Sequence, residues 1–175
     1  MTDELSRRAR QIRLALFDVD GVMTDGTLFI SGSGESFKAF NILDGLGLKL
    51  LKSSGVTTGI ITGRSSESVK TRSAELAIDY LIQGTEDKLQ AYADLREQLG
   101  LEDSQVCYMG DDLPDLPVLR RCGLALSPPN AVAEVREQAH FVTRSSAGNG
   151  AVREVCELIM QAQGTWKSGI EVFLS

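Results

Sequence analysis

Short apolar runs recur along the chain at Leu14–Phe17, Val56–Ile61, Tyr80–Ile82, Val106–Met109, Leu124–Leu126 and Phe141–Val142, each too short for a helix and rich in branched or aromatic residues. Between them the apolar period lengthens to that of a helix. Residues 3–11 read as a short polar helix, and residues 41–54 place Leu46, Leu50 and Leu51 on one face with Gly55 as the stop. Further helices are expected at 65–75 around Val69, from about Lys88 to Gly100 with Thr85 as the capping candidate, at 130–138, and at 150–163. Strands that alternate with helices imply right-handed crossovers and a mostly parallel sheet. The expected architecture is α/β: a three-layer, doubly wound, Rossmann-like fold. One stretch breaks the rhythm. From Val22 to Phe40 the chain runs TLFI, SGSGE and SFKAF, two weakly alternating strands about a Gly/Ser turn, which predicts a protruding β-hairpin with Leu28, Phe29 and Ile30 facing outward. Such an arm needs a partner surface.

Length and composition fit this picture. A chain of 175 residues, 42% of them hydrophobic, suits a single domain over 1–175 with an arm at 24–40 and a tail at 164–175. In that tail, GTWKSGIEVFLS, Trp166 and Phe173 either dock on an oligomer or form a disordered end. A net charge of −6 argues against general nucleic-acid binding. Cys107, Cys122 and Cys156 are odd in number and far apart, which gives neither a disulfide framework nor a zinc knuckle. The basic residues Arg7, Arg8, Arg10 and Arg13 precede no long apolar run. Neither a signal peptide nor a membrane anchor is expected, and the location is read as cytoplasmic.

The chemistry gathers where strands end. The first run delivers Asp18 and Asp20 into a turn at Gly21. Two carboxylates that close repel unless a raised pKa or a cation relieves them, and an oxygen-rich site suits Mg²⁺. The alternative is an ordinary Asp-Gly turn. The second run ends in Thr62-Gly63-Arg64 ahead of a helix, which is either a cradle for phosphate or a capped strand-to-helix turn. Lys88 stands in the first turn of a helix, where the macrodipole disfavours a cation; it points at a phosphate or is a solvated helix residue. A fourth run ends in GDDLPD, with Asp111, Asp112 and Asp115. Each cluster alone has a bland reading. All four fall on the carboxyl edge of one sheet, so their combination carries far more weight than any member.

In that combination the chain resembles the haloacid dehalogenase-like phosphohydrolases. The motifs are DxDGV, a strand ending in Thr62, Lys88 opening a helix, and GDDLPD, and they span nearly the whole sequence. The resemblance implies Asp18 as the nucleophile that forms an aspartyl-phosphate and Asp20 as the general acid and base. It also implies Mg²⁺ held by Asp18, the Asp20 carbonyl and Asp111, with Thr62, Gly63 and Lys88 on the phosphoryl oxygens. Asp112 and Asp115 follow as a further ligand or as orienting groups. Neither gap between motifs can hold a cap domain, which places the chain in the capless branch.

The stretch FDVDGVMTDGTLFISGSGESFKAFNILDGLGLKLL and the later GNGAVREV are similar to the 3-deoxy-D-manno-octulosonate 8-phosphate phosphatases of lipopolysaccharide synthesis. That likeness implies a homotetramer in which the arm walls a neighbour's site, and it sets Arg64 and Arg72 toward the carboxylate of the sugar acid; Arg72 is otherwise a solvated helix residue. Two other readings stand beside it: a phosphatase for nine-carbon, sialic-acid-type sugar phosphates, and a non-catalytic oligomerisation module. The intact set Asp18, Asp20, Lys88 and Asp111 argues against the module. Asp25 and Asp44 approach a substrate only if the arm closes, and His140 reads as structural.

Overall fold

The computed structural model describes residues 2–32 and 34–174. At its centre is Leu14–Phe17 (β1), whose four side chains are all buried. Ala15 and Phe17 face one apolar layer and Leu14 and Leu16 the other, as expected of a strand covered on both faces. The other strands of the sheet are Thr57–Thr62 (β4), Tyr80–Gln83 (β5), Val106–Met109 (β6), Leu124–Ser127 (β7) and Phe141–Val142 (β8). The hairpin strands Phe29–Ser31 (β2) and Gly34–Phe37 (β3) pair antiparallel with each other, apart from that sheet. The six-stranded sheet has the order β5-β4-β1-β6-β7-β8 and is parallel at every junction. The order reverses beside β1, so a crevice opens at its carboxyl end.

Helices close both faces. Asp3–Gln11 (α1), Ile42–Ser53 (α2), Glu67–Glu75 (α3) and Ala151–Gln163 (α7) contribute to one layer. Lys88–Gln98 (α4), Leu116–Leu119 (α5) and Ala133–Gln138 (α6) contribute to the other. Truncating a fully buried side chain such as Leu16 to Ala would cost about 2–5 kcal/mol, the range for large-to-small changes in a packed core. Among the described residues no helix is long and apolar enough to cross a membrane.

Three details depart from expectation. Asp87 rather than Thr85 caps α4, accepting a hydrogen bond from the Gln90 amide at 2.9 Å. The helix expected from residue 130 starts at Ala133, because Val132 stays extended and its amide bonds to the Asp111 carbonyl. Past Gly164 the chain forms the short helix Trp166–Ile170 (α8), with Arg153 stacked 5.3 Å from the Trp166 ring, and Trp166 packs on the core.

The turn after Asp20 is pinned from behind. Asp44 on α2 is buried, and its carboxylate accepts the Gly150 and Arg153 amides at the start of α7. An acid there complements the helix dipole. Asn41 caps α2 and donates to the Gly148 carbonyl, while the Gly148 amide bonds to the Val22 carbonyl. Asp44 is therefore committed to framing the site and does not face a substrate.

Candidate active site

Four strand ends meet around one cavity of about 430 Å³, lined by Asp18, Asp20, Thr62, Gly63, Arg64, Lys88 and Asp111 together with Asp112 and Asp115. Asp18 extends β1, and its amide bonds to the Met109 carbonyl of the adjacent strand. Its carboxylate is buried, with Oδ2 3.0 Å from Lys88 Nζ and Oδ1 without a protein partner. Thr62 closes β4 and is buried beside the crevice.

Lys88 is the first residue of α4, and two neighbouring carboxylates explain how a buried cation tolerates that position. Its ammonium lies between two carboxylates, 3.0 Å from Asp18 and 2.7 Å from Asp115. Burial pulls the lysine pKa down, but the two anions outweigh it and leave it raised, so the cation is firmly protonated.

Asp115 does not resemble a free ligand. It is completely buried; Oδ1 accepts from Lys88 and, at 2.6 Å, from the Tyr108 hydroxyl, and Oδ2 accepts the amides of Asp111 and Asp112. Both of its oxygens are engaged in holding neighbours. The Tyr108 hydroxyl is correspondingly reluctant to ionise, first because it is buried and then because Asp115 is negative.

Asp18 and Asp111 are left with spare acceptors. Burial first, then the charge of Asp115, raises the Asp18 pKa to about 6; burial and then the charges of Asp115 and Asp18 raise that of Asp111 to about 7. Asp18, Asp111 and Asp115 each offer an oxygen within 4.8 Å of the others, and Asp18 Oδ1 and Asp111 Oδ1 are buried without a hydrogen bond. Two unpaired carboxylate oxygens in a water-facing cavity fit Mg²⁺, which takes one or two carboxylates and fills its octahedron from water and phosphate.

Asp20 stands on the other side of the cavity. Lys38, from the return limb of the hairpin, reaches Oδ1 at 2.5 Å, and Arg64 Nε is 3.8 Å from Oδ2. Arg72 requires a correction. It does not line this cavity: its guanidinium donates to Glu75 and to the Asn41 carbonyl, lies over the Phe40 ring, and borders a separate groove with Ile42 and Leu46. A helix residue two turns past the strand end is carried away from the sheet edge. Lys38 and Tyr108 went unassigned in the sequence. Lys38 sits in an apolar return strand with no motif around it, and Tyr108 reads as core from its strand alone.

A parallel doubly wound sheet bearing two aspartates after the central strand, a threonine, a buried lysine and an acidic loop is the arrangement of a haloacid dehalogenase-like hydrolase, and the family so described matches residues 80–155. Whole-chain relatives narrow this. The chain is 45% identical over 163 residues to the 3-deoxy-D-manno-octulosonate 8-phosphate phosphatase of Yersinia pestis, covering 93% of this chain and 87% of the relative. The crystal structure of a Moraxella catarrhalis 3-deoxy-D-manno-octulosonate 8-phosphate phosphatase, in complex with magnesium, phosphate and a KDO molecule, superposes with a TM-score of 0.96 at 45% identity over 99% of both chains. A probable yrbi family phosphatase from Pseudomonas syringae gives a TM-score of 0.97 at 50% identity over the same share. The chain belongs to the 3-deoxy-D-manno-octulosonate 8-phosphate phosphatase family.

Proposed function

We propose that this chain is a Mg²⁺-dependent phosphatase that hydrolyses 3-deoxy-D-manno-octulosonate 8-phosphate to the free sugar acid and phosphate, in lipopolysaccharide synthesis in the cytoplasm. The observation that carries the reading is the buried Asp18 carboxylate, which has one oxygen held by Lys88 and the other unpaired at the cavity where Thr62 and Asp111 converge.

An Asp18 oxygen attacks phosphorus, and the bond from phosphorus to the sugar oxygen breaks. Asp20 gives its proton to that departing oxygen. Asp20 then takes a proton from water, whose oxygen attacks the acyl phosphate and restores Asp18 as phosphate leaves. Thr62 and the Gly63 amide hold phosphoryl oxygens, and Lys88 offsets their charge. Asp18, Asp111 and the Asp20 carbonyl would hold Mg²⁺, which would supply further positive charge for phosphoryl transfer.

Arg64 lies on the cavity wall, where it meets the sugar's carboxylate. The remaining wall comes from a second copy. Phe29, Ile30 and Phe37 on the arm and Ile42 and Leu43 on α2 are exposed apolar residues, which supports a homotetramer in which the arm covers a neighbour's site. The test is phosphate release from a panel of eight- and nine-carbon sugar acid phosphates, with EDTA blanks. Metal-dependent preference for the octulosonate is the expected result. Preference for the nine-carbon acids would overturn the substrate, and no turnover of any member would favour an assembly module.

A further inference from the structure

Lys38 is the least expected group beside the site. It follows β3, between Phe37 and Ala39, yet its side chain is only 1% exposed and its ammonium ends 2.5 Å from Asp20 Oδ1. A buried ammonium needs an anion, and a contact that short is charge-assisted. Its route is fixed at both ends. The hairpin departs from the Asp20 turn, and three residues after Lys38 the chain is fastened by Asn41, which caps α2 and bonds to the Gly148 carbonyl.

The pairing divides the two oxygens of Asp20. Oδ1 is taken by Lys38; Oδ2 is buried without a hydrogen bond and lies nearer Arg64, on the cavity side. An aspartate carboxylate turns broadly about its last torsion, so an unrestrained Asp20 would present either oxygen in several orientations. A cation on Oδ1 removes that freedom and leaves a single oxygen for the leaving group.

We propose that Lys38 is a positioning residue for proton transfer. The hairpin returns it to the general acid from which the hairpin started, and it aims Oδ2 of Asp20 at the departing sugar oxygen. This rests on the phosphatase reading above, though not on which sugar is the substrate. The arm then has a task within its own chain besides any contact with a neighbour.

The test separates leaving groups. An alkoxide must be protonated as it departs, whereas p-nitrophenolate leaves without help. A defect in that acid step therefore appears on one substrate alone when leaving-group release is followed in the first turnover, before the acyl-phosphate hydrolysis that both substrates share. Lys38→Met keeps the length and apolar stem of the side chain. It should lower the first-turnover rate of leaving-group release from the sugar phosphate, or from whichever primary alkyl phosphate the wild type turns over best, by about 100-fold, with half-saturation within twofold. On p-nitrophenyl phosphate the first-turnover release of p-nitrophenolate, which precedes acyl-phosphate hydrolysis, should slow less than threefold. Asp20→Asn should give the same split in the first turnover, while its steady-state kcat falls on both substrates because the base for acyl-phosphate hydrolysis is lost as well. The double variant should be no worse in the first turnover than Asp20→Asn alone. Lys38→Arg should restore part of the alkyl activity. Equal first-turnover losses on both substrates, or additive losses in the double variant, would overturn the proposal by making Lys38 a structural anchor. Should Lys38→Met unfold, Lys38→Gln and Lys38→Arg are read by the same ratio. Wild-type failure on the octulosonate alone refutes only the substrate assignment, because the comparison runs on any alkyl phosphate.

Discussion

The β-carbon that Gly21 lacks would lie 2.0 Å from Oδ2 of Asp111. Gly21 also has φ +86°, so the residue that turns the chain after Asp20 both adopts a left-handed conformation and lets the acidic loop after β6 approach the turn after β1. Gly21→Ala should lose about 1–2 kcal/mol to backbone strain and displace Asp111. Gly55→Ala is the control: φ is +96° there, but nothing lies within 4 Å of the added carbon. Melting temperatures are expected to fall in both variants, and further in Gly21→Ala, where the clash with Asp111 adds to the strain; Mg²⁺ activation curves separate the two. Only Gly21→Ala should shift half-activation to higher Mg²⁺, by about tenfold or more. A parallel shift in Gly55→Ala would separate metal binding from this contact.

Asp18→Asn should abolish turnover, because an amide does not form the acyl phosphate. It should not unfold the protein. Burial raises the Asp18 pKa to about 6, so above that pH the metal-free fold carries a desolvated charge that asparagine lacks. At pH 8 without Mg²⁺ the variant is expected to melt no lower than its parent, as read by calorimetry beside phosphate release. Residual activity above the blank would sink the covalent mechanism.

The raised pKa values of the two carboxylates set a pH dependence for the metal-free protein. Asp18 and Asp111 hold their protons to about pH 6 and 7 when folded, against 3.8 for a free aspartate, so the folded state binds more protons than the unfolded state across that window. Stability is therefore greatest below about pH 4 as far as these two groups are concerned, and it falls as pH rises to about 7. A tenfold difference in proton affinity between the folded and unfolded states is worth about 1.4 kcal/mol, which makes the loss about 3 kcal/mol for Asp18 and about 4 kcal/mol for Asp111, each taken alone. Mg²⁺ stabilises the ionised carboxylates, so its gain in melting temperature should grow from pH 5 to pH 7.5. A gain independent of pH would exclude Asp18 and Asp111 as the metal-linked groups.

Tyr108 and Asp115 act behind the reacting groups. Tyr108→Phe removes a donor to a buried anion and should cost about 1.5–3 kcal/mol, with kcat falling little. Asp115→Asn is the more damaging change for chemistry, because Asp115 also fixes the Lys88 ammonium and the amides of Asp111 and Asp112. It should lower kcat at least tenfold. Urea melts and saturation kinetics distinguish the two, and a larger kcat loss in Tyr108→Phe would reverse their roles.

The mostly parallel sheet and the crevice were legible in the sequence because each depended on patterns local to single elements: apolar runs of strand length, and polar clusters just past them. Asp18, Thr62, Lys88 and Asp111 could be placed in this way since a parallel sheet brings every strand's carboxyl end to the same edge. Asp115 was visible as a charge but not as the support beneath Lys88, since that contact joins α4 to a turn 27 residues later. Lys38 and Arg72 depended on the path of the hairpin and on the pitch of α3, and neither leaves a local signature. Arg72 was accordingly expected at a carboxylate and is found beside Asn41, Phe40 and Glu75.

The arm should matter for assembly as well as for Lys38. Phe29 and Phe37 stack at 4.4 Å between ring centroids, and Ile30 beside them is 70% exposed, a small apolar surface that a monomer leaves in water. On α2, Ile42 is 81% exposed. Replacing Ile30 and Ile42 with Glu puts charges on that surface without touching a buried side chain, so the fold and its melting temperature should change little. Light scattering should then report a smaller particle than the tetramer proposed for the parent. KM for the sugar acid phosphate should rise about tenfold or more, because an open cavity loses the wall proposed to come from a second copy. Turnover of p-nitrophenyl phosphate, which asks little of that wall, should persist. An unchanged particle with unchanged KM would remove the arm from the interface and leave Lys38 as its whole contribution to the site.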